Sequence, residues 1–271
     1  MAVNMRNIAN PEQIAIIKKD FNSITAENDM KPQPTEPAYG QFNWENADKI
    51  ANFCRSNGIK LRGHCLMWHA QIGKWMYQDE KGNLVSKEKL FQNMKHHITA
   101  IMERYKDVVY AWDVVNEAIS DGGRPVMGQK PSPYRNSPLY QIAGDEFIKK
   151  AFIYAREADP NVLLFYNDYN AADPQKRDRI YNMVKSMKEE GVPIDGIGMQ
   201  GHYNIYGPSM EDVDAALTKY STIVKHIHIT ELDIRANEEM GGHLNFSREA
   251  GDISQTVKLL QEDQYTRLFK I

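Results

Sequence analysis

Residues Tyr110–Ala118, with the sequence YAWDVVNEA, are the most informative segment of the chain for predicting its fold. Together with Val108 and Val109 they make an almost continuous apolar run, which is typical of a strand covered on both faces of a parallel sheet. The run ends at the carboxylate of Glu117, and a long segment rich in Gly and Pro follows from Ser120 to Pro138. A carboxylate where a buried strand opens into a loop contributes little to stability. It is well placed for chemistry at the carboxyl end of a parallel sheet.

Strand-like and helical segments alternate on both sides of this stretch. The other predicted strands lie at Met1–Asn4, Ser23–Asn28, Ile59–Trp68, Val162–Tyr166, Gly196–His202 and His226–Leu232. The predicted helices lie at Pro11–Asp20, Ala47–Asn57, Lys87–Tyr105, Leu139–Ala158, Pro174–Glu190, Ser209–Tyr220 and Asp252–Phe269. Regular alternation of this kind indicates a parallel sheet, and the length favours a TIM (β/α)₈-type barrel over an open sheet.

The predicted strands number seven, one fewer than a closed barrel of this type needs. The 271 residues end inside the last predicted helix, and the first strand is only a few residues long. We therefore expect residues 1–271 to be a single barrel domain that is truncated, with the start of strand 1 clipped and the strand 8 region missing. Two unpaired sheet edges would remain, and a homo-oligomer that exchanges segments could cover them.

Composition excludes several classes of function. The formal net charge of -3 gives no electrostatic basis for binding nucleic acid or an anionic membrane surface. No apolar run approaches the ~20 residues of a membrane-spanning helix, and no signal-peptide pattern is visible. The two cysteines, Cys54 and Cys65, are predicted to be buried free thiols, since two cysteines make no disulfide framework.

Polar side chains recur where the predicted strands end. Because the carboxyl ends of barrel strands form one bowl, we expect these side chains to meet there. They are Glu27, Asn28, His64, Trp68, Asn116, Glu117, Asn167, Asp168, Gln200, His202, Glu231 and Asp233. Glu117 and Glu231 each follow a buried strand, and paired carboxylates across a cleft are the usual apparatus of glycoside hydrolysis. One must be a protonated acid and the other ionised, and their environments set the two apart.

The histidines raise the alternative of a metal site. His226 and His228 form a His-x-His pair, but Glu231 has the opposite parity along the predicted strand. If Glu231 faces the barrel centre, both histidines face the helices, which argues against a metal. His202 is favoured as the partner that keeps a carboxylate ionised. Two glycines precede it on the same face, Gly196 and Gly198, and we expect them to let long side chains from opposite strands fill the barrel axis.

Aromatic residues near the strand ends suit the flat faces of sugar rings. The alternative is that the tyrosines only pack the loops. The group comprises Trp68, Trp75, Tyr166, Tyr169, Tyr203 and Tyr206.

Six motifs together resemble those of family 10 glycoside hydrolases, the endo-1,4-β-xylanases. They appear in that family's order and cover nearly the whole chain. The motifs are TAENDMK (25–31), RGHCLMWHAQ (62–71), WDVVNE (112–117), YNDYN (166–170), MQGH (199–202) and ITELD (229–233).

The resemblance implies a TIM barrel that cleaves xylan and xylo-oligosaccharides by a retaining double displacement without a cofactor. Glu117 would be the general acid/base and Glu231 the nucleophile. Asn116, His64 and Gln200 would line the cleavage subsite, His202 would hydrogen-bond Glu231, and Asp113 and Asp233 would support these residues. Sugars on the non-reducing side would be bound by Glu27, Asn28, Lys31, Trp68 and Gln71, and Tyr169 would lie on the leaving-group side. A polymeric substrate implies a secreted or periplasmic protein.

Three alternatives stay open on the sequence alone. A shortened barrel could bind xylan with little or no catalysis. A β-1,4-glucanase of the same family would carry the same motifs. A metal-dependent hydrolase would use His226 and His228.

Overall fold

The strands place the carboxyl ends of a parallel sheet at one end of the molecule. The computed structural model describes residues 1–122, 132–236 and 254–271. The strands are β1 (Ala2–Val3), β2 (Ser23–Ala26), β3 (Lys60–Trp68), β4 (Val109–Asn116), β5 (Leu163–Asp168), β6 (Gly196–Met199), β7 (His202–Asn204), β8 (His226–Ile229) and β9 (Asp233–Arg235). Seven of them form one sheet in the order β1-β2-β3-β4-β5-β6-β8, and every pair is parallel. The prediction of a seven-stranded parallel sheet is therefore confirmed.

Helices follow the sheet strands in the alternation that the sequence predicted. They are α1 (Pro11–Asp20), α2 (Pro32–Thr35), α3 (Glu45–Asn57), α4 (Lys87–Tyr105), α5 (Pro138–Ala143), α6 (Glu146–Ala158), α7 (Pro174–Glu189), α8 (Met210–Ser221) and α9 (Gln255–Leu268). Two short 3₁₀ helices lie at Asn7–Ala9 and Lys74–Met76. None of the helices within the described ranges is long and apolar enough to span a bilayer.

Local chemistry explains where the main helices begin. The side chains of Ser86, Asp173 and Ser209 accept hydrogen bonds from backbone N–H groups in the first turns of α4, α7 and α8. These N-caps satisfy donors that a helix start otherwise leaves unpaired. Helix α3 ends at Gly58, whose φ of 64° is left-handed and is adopted by glycine without steric cost.

Glycines also break two segments that the sequence predicted to be continuous. The predicted helix Leu139–Ala158 is divided into α5 and α6 at Gly144, where φ is 60°. The predicted strand Gly196–His202 ends at Met199, because Gly201 has a φ of 80° and turns the chain. After the turn, β7 pairs with β9 in a separate two-stranded sheet. The predicted start of the last helix at Asp252 lies outside the described residues.

The core lies between the sheet and the helices that cover it. Trp112 on β4 is 1% exposed, and a side chain on the adjacent Gly63 would come within 2.2 Å of its ring. Both cysteines are buried and free, as predicted. At the sheet ends, β1 pairs with β2 and β8 pairs with β6, and no further strand joins either edge in the parts of the chain that the structure describes.

Candidate active site

Glu117 lies directly after β4, in a backbone conformation that other residues must hold in place. Its φ is 58°, in the left-handed region that costs a residue with a side chain roughly 1–2 kcal/mol. The backbone N–H of Glu117 donates to the carbonyl of Asn167 at 2.9 Å. Its own carbonyl accepts a hydrogen bond from Arg135 Nε at 3.0 Å. The turn at the end of the strand is therefore fixed from both sides of residue 117.

Three side-chain amides connect Glu117 to Glu231. Gln200 Nε2 donates to Glu117 Oε1 at 3.0 Å and to Asn116 Oδ1 at 3.2 Å. Asn167 Nδ2 donates to Asn116 Oδ1 at 3.0 Å and to Glu231 Oε1 at 2.9 Å. The two carboxylates, remote in sequence, thus belong to one hydrogen-bond network. The network therefore brings the two carboxylates together at the carboxyl end of the sheet.

Glu231 is held in its ionised form. Burial alone would raise its pKa, but hydrogen bonds from His202 and Asn167 and the nearby His64 ring bring the pKa below its ordinary value. His202 Nε2 lies 3.2 Å from Glu231 Oε2, and its Nδ1 lies 2.7 Å from Asp233 Oδ2. Hydrogen bonds to Asp233 and Glu231 raise the pKa of His202 to about 9. A protonated imidazole thus bridges two carboxylates.

The carboxylate of Glu117 has a different environment. One oxygen accepts from Gln200 and the other accepts from Trp68 Nε1 at 2.9 Å. Asn116 Nδ2 lies 3.3 Å from the first oxygen. These donors are neutral, whereas Glu231 faces a cation. The two acidic groups therefore differ in their surroundings, because an imidazolium contacts Glu231 and only neutral donors contact the carboxylate of Glu117.

His64 contacts a buried ion pair formed by Arg62 and Asp113. Asp113 is 1% exposed and accepts from Arg62 Nη2 at 2.5 Å. Its other oxygen lies 3.0 Å from His64 Nδ1, which is the contact the sequence resemblance implied. Burial opposes ionisation of Asp113, but Arg62 and His64 lower its pKa. The result is an ionised carboxylate that contacts Nδ1 of the His64 ring and thereby restrains its orientation.

The predicted orientation of the His-x-His pair is wrong for His228. Its Nδ1 lies 3.0 Å from Arg62 Nη1, and its ring lies 4.5 Å from that of Phe165, so it faces the sheet interior. The parity argument failed because β8 ends at Ile229, and strict alternation does not continue to Glu231. Burial and the neighbouring Arg62 lower the pKa of His228 to about 4. Among the described residues, no cluster of three or more metal-ligating side chains is present.

Residues predicted to bind sugars on the non-reducing side form a contiguous group beside Glu117. Lys31 Nζ donates to Asn28 Oδ1 at 2.8 Å and lies 4.7 Å from the centre of the Trp68 ring. Gln71 Nε2 reaches the same Asn28 oxygen at 3.3 Å. Glu27 stands further out and accepts from Asn4 at 2.8 Å. This group leads outward from the acidic pair along the ends of β2 and β3.

The aromatic set predicted for sugar binding is only partly at the site. Tyr166 is fully buried and Tyr203 is 6% exposed, so both pack the interior and the sugar-binding hypothesis is wrong for them. Trp75 donates its ring N–H to the carbonyl of Glu36, away from the acidic pair. Trp68 contacts Glu117 directly, and Tyr169 lies near it through Arg135.

The two glycines of β6 make room for the network, as the sequence suggested. A side chain on Gly198 would come within 2.3 Å of Asn167 Oδ1, and one on Gly196 within 2.3 Å of the Phe165 ring. The side chains that fill this space come from the neighbouring strand β5 rather than from an opposite strand.

Comparisons with known proteins agree with this geometry. The sequence profile described as Glycosyl hydrolase family 10 matches residues 1–271. The chain belongs to this family. An endo-1,4-beta-xylanase/feruloyl esterase of Xylanibacter ruminicola is 59% identical over 277 residues, which cover 100% of this chain and 38% of that protein. Endo-1,4-beta-xylanase B of Paenibacillus barcinonensis is 41% identical over 253 residues, 93% of this chain and 73% of its own length.

Solved structures of family 10 enzymes superpose on the chain. A psychrophilic family 10 endo-beta-1,4-xylanase aligns with a TM-score of 0.92 and 67% identity, over 100% of this chain and 80% of its own. A xylanase from Paenibacillus barcinonensis, solved with a conduramine derivative, aligns with a TM-score of 0.89 and 39% identity, over 99% of this chain and 77% of its own. These matches confirm the predicted TIM-barrel fold class, of which the described chain forms a seven-stranded part.

Three residues that organise the site of this family 10 chain have no role assigned from the sequence. Asn167 lies among the predicted strand-end residues, and in the structure it bonds Glu231 and Asn116. Arg62 lies within one of the six motifs, and a cation inside an otherwise buried strand is the signal that could identify it. Arg135 lies within the Gly- and Pro-rich segment, and no local pattern connects it with Glu117.

Proposed function

We propose that this family 10 chain hydrolyses internal β-1,4-xylosidic bonds in xylan and xylo-oligosaccharides by a retaining double displacement. The names of its relatives support the substrate, and the acidic pair supports the mechanism. The single observation that carries the proposal is the contrast within the pair: Glu231 faces a protonated His202, whereas Glu117 faces neutral donors. That contrast suits a nucleophile and a general acid respectively.

In the first step, the ionised carboxylate of Glu231 attacks the anomeric carbon and the glycosidic bond breaks. Glu117 gives its proton to the leaving oxygen, and a covalent glycosyl-enzyme forms on Glu231. In the second step, Glu117 takes a proton from water as the water attacks the same carbon. Glu231 leaves, and the configuration at the anomeric carbon is retained.

Asn116 is placed to recognise the sugar at the cleavage point. Its side-chain oxygen accepts from both Gln200 and Asn167, which determines which way the amide faces. The amide nitrogen is then directed away from those donors and lies 3.3 Å from Glu117 Oε1. Because the oxygen is already engaged, Asn116 offers donors to a sugar 2-hydroxyl, and bonds that strengthen at the transition state accelerate the reaction.

The test is release of reducing sugar from xylan by the chain and its variants. We expect Glu117→Ala and Glu231→Ala each to reduce the rate by ~100-fold or more, since general acid–base and nucleophilic groups contribute at least that much. Glu189→Ala, which removes an exposed carboxylate on α7, is the matched control and should behave like the parent. Nuclear magnetic resonance of the first product should show the retained anomer; an inverted one would exclude Glu231 as nucleophile.

A panel of substrates separates xylan from the glucan alternative. Faster turnover of β-1,4-glucan than of xylan would overturn the substrate assignment and leave the mechanism intact. Calorimetry that shows xylo-oligosaccharide binding without turnover would favour a binding protein. The complete acidic network argues for catalysis.

Two further proposals concern the setting in which the chain works. Xylan is a polymer encountered outside the cell or in the periplasm, so we propose one of those locations; fractionation of the source cells tests it. In the described strands, β1 and β8 each have a single neighbour, and exposed edges favour association. We therefore propose a segment-exchanged homo-oligomer, which size-exclusion chromatography of the assay sample would detect.

A further inference from the structure

Four side chains of alternating charge form a series of ion pairs that ends at Arg135, next to Glu117. Asp168 Oδ1 lies 2.9 Å from Lys176 Nζ, and the same ammonium lies 2.7 Å from Asp121 Oδ1. Asp121 Oδ2 lies 3.6 Å from Arg135 Nη2. Asp168 is fully buried and the Lys176 side chain is 2% exposed, so this innermost ion pair of the series lies in the protein core. Burying charges is costly unless they are paired, and here each charge has a partner of opposite sign.

Arg135, the outermost residue of this series of ion pairs, hydrogen-bonds the backbone around Glu117. Arg135 donates from Nε to the carbonyl of Glu117 at 3.0 Å and from its backbone N–H to the carbonyl of Ala118 at 2.8 Å. Its Nη2 donates to the hydroxyl of Tyr169 at 2.7 Å, and that hydroxyl also bonds Asp121. The planar guanidinium is thus held at several atoms. Its Nε–H donor is directed at the carbonyl of Glu117, the residue with the left-handed backbone.

We propose that Arg135 is a positioning residue for the acid/base carboxylate of Glu117, an inference that rests on the proposed function. Residue 117 lies beyond the ladder of β4, and its left-handed backbone places the side chain between Trp68 and Gln200. Without the bond from Arg135, the peptide after Glu117 can rotate and carry the carboxylate away from the glycosidic oxygen. A displacement of ~1 Å at a reacting group costs on the order of 100-fold in rate.

The test uses substrates that differ in their need for a general acid. A dinitrophenyl β-xylobioside has a leaving group that departs without protonation, whereas a phenyl β-xylobioside and xylan need a proton from Glu117. The variant is Arg135→Lys, which keeps the positive charge beside Asp121 but lacks the fixed fork of donors. We expect its kcat/KM to fall by ~10- to 100-fold on phenyl xylobioside and xylan, within the contribution of general acid catalysis. On dinitrophenyl xylobioside we expect kcat/KM to stay within about threefold of the parent, since acid assistance contributes little there.

A matched control separates positioning from general loss of structure. Arg156 donates to the carbonyls of Pro160 and Val162 at 2.9 Å and pairs with Asp195 near the start of β5, far along the strand from the site. Arg156→Lys should lower the thermal midpoint without changing the ratio of kcat/KM between the two aryl substrates. Asp121→Asn, a milder change, should shift that ratio in the same direction as Arg135→Lys by a smaller factor.

Equal losses on both aryl substrates in Arg135→Lys would overturn the positioning role while leaving the proposed function standing. A parent chain that hydrolyses neither xylan nor either aryl xylobioside would overturn the proposed function and this inference with it.

Discussion

His202→Asn should change how stability depends on pH. In the folded protein, hydrogen bonds to Asp233 and Glu231 raise the pKa of His202 from 6.5 to about 9. A base whose pKa rises on folding stabilises the folded state fully below its unfolded pKa. That contribution is lost as the pH increases through the folded value. The relevant window is therefore pH 6.5 to 9.

The magnitude follows from the same pKa rise. At 1.36 kcal/mol for each pH unit, the rise from 6.5 to about 9 corresponds to an upper bound of ~3 kcal/mol. The imidazole is 30% exposed and Asp233 is 48% exposed, so solvent screens the interaction. About half of the bound, ~1.5 kcal/mol, is a realistic contribution after screening.

Urea unfolding of the parent and His202→Asn at several pH values measures this directly. We expect the difference in unfolding free energy between the two proteins to shrink by ~1.5 kcal/mol between pH 6 and pH 9.5. Asp233→Asn should remove part of the same effect, because one of the two acceptors remains. Parallel curves for parent and His202→Asn across this window would show that the imidazole is not held protonated, and the argument for an ionised Glu231 would lose its main support.

Three further substitutions test other parts of the site and core. Asn167→Asp sets a carboxylate against the carboxylate of Glu231, in place of an amide that donates to it at 2.9 Å, and should slow xylan hydrolysis by ~10- to 100-fold, which initial rates will show. Glu36→Ala removes a fully buried acceptor that lies 2.8 Å from His97 Nδ1 and should cost ~3–5 kcal/mol in urea unfolding; a change under ~0.5 kcal/mol, typical of a surface site, would contradict the pairing. Gly198→Ala would place a methyl group 2.3 Å from Asn167 Oδ1, so kcat on xylan should fall while the free energy of unfolding changes little. Gly207→Ala, which has no atom within 4 Å of the new methyl group, should change neither kcat nor the free energy of unfolding.

Much of the fold was predictable because it depends on local pattern. The apolar run before Glu117, the helix caps and the alternation of strands and helices all act within a few residues, so the parallel sheet could be inferred without coordinates. Two predicted segments were too long because a left-handed glycine, Gly144 or Gly201, interrupts a pattern that remains periodic in sequence. A single glycine with positive φ changes the direction of the backbone, but the hydrophobic pattern of the sequence continues through it.

The parallel sheet, the family and the residues at the strand ends could be inferred from side-chain types and their spacing along the chain. How those residues pair became known from the three-dimensional arrangement. The bond from Asn167 to Glu231 spans 64 positions and the contact of Arg62 with His228 spans 166, and no local periodicity reports on either. Which side chain contacts which carboxylate depends on sheet order, register and the turns after each strand, and those contacts lower the pKa of Glu231.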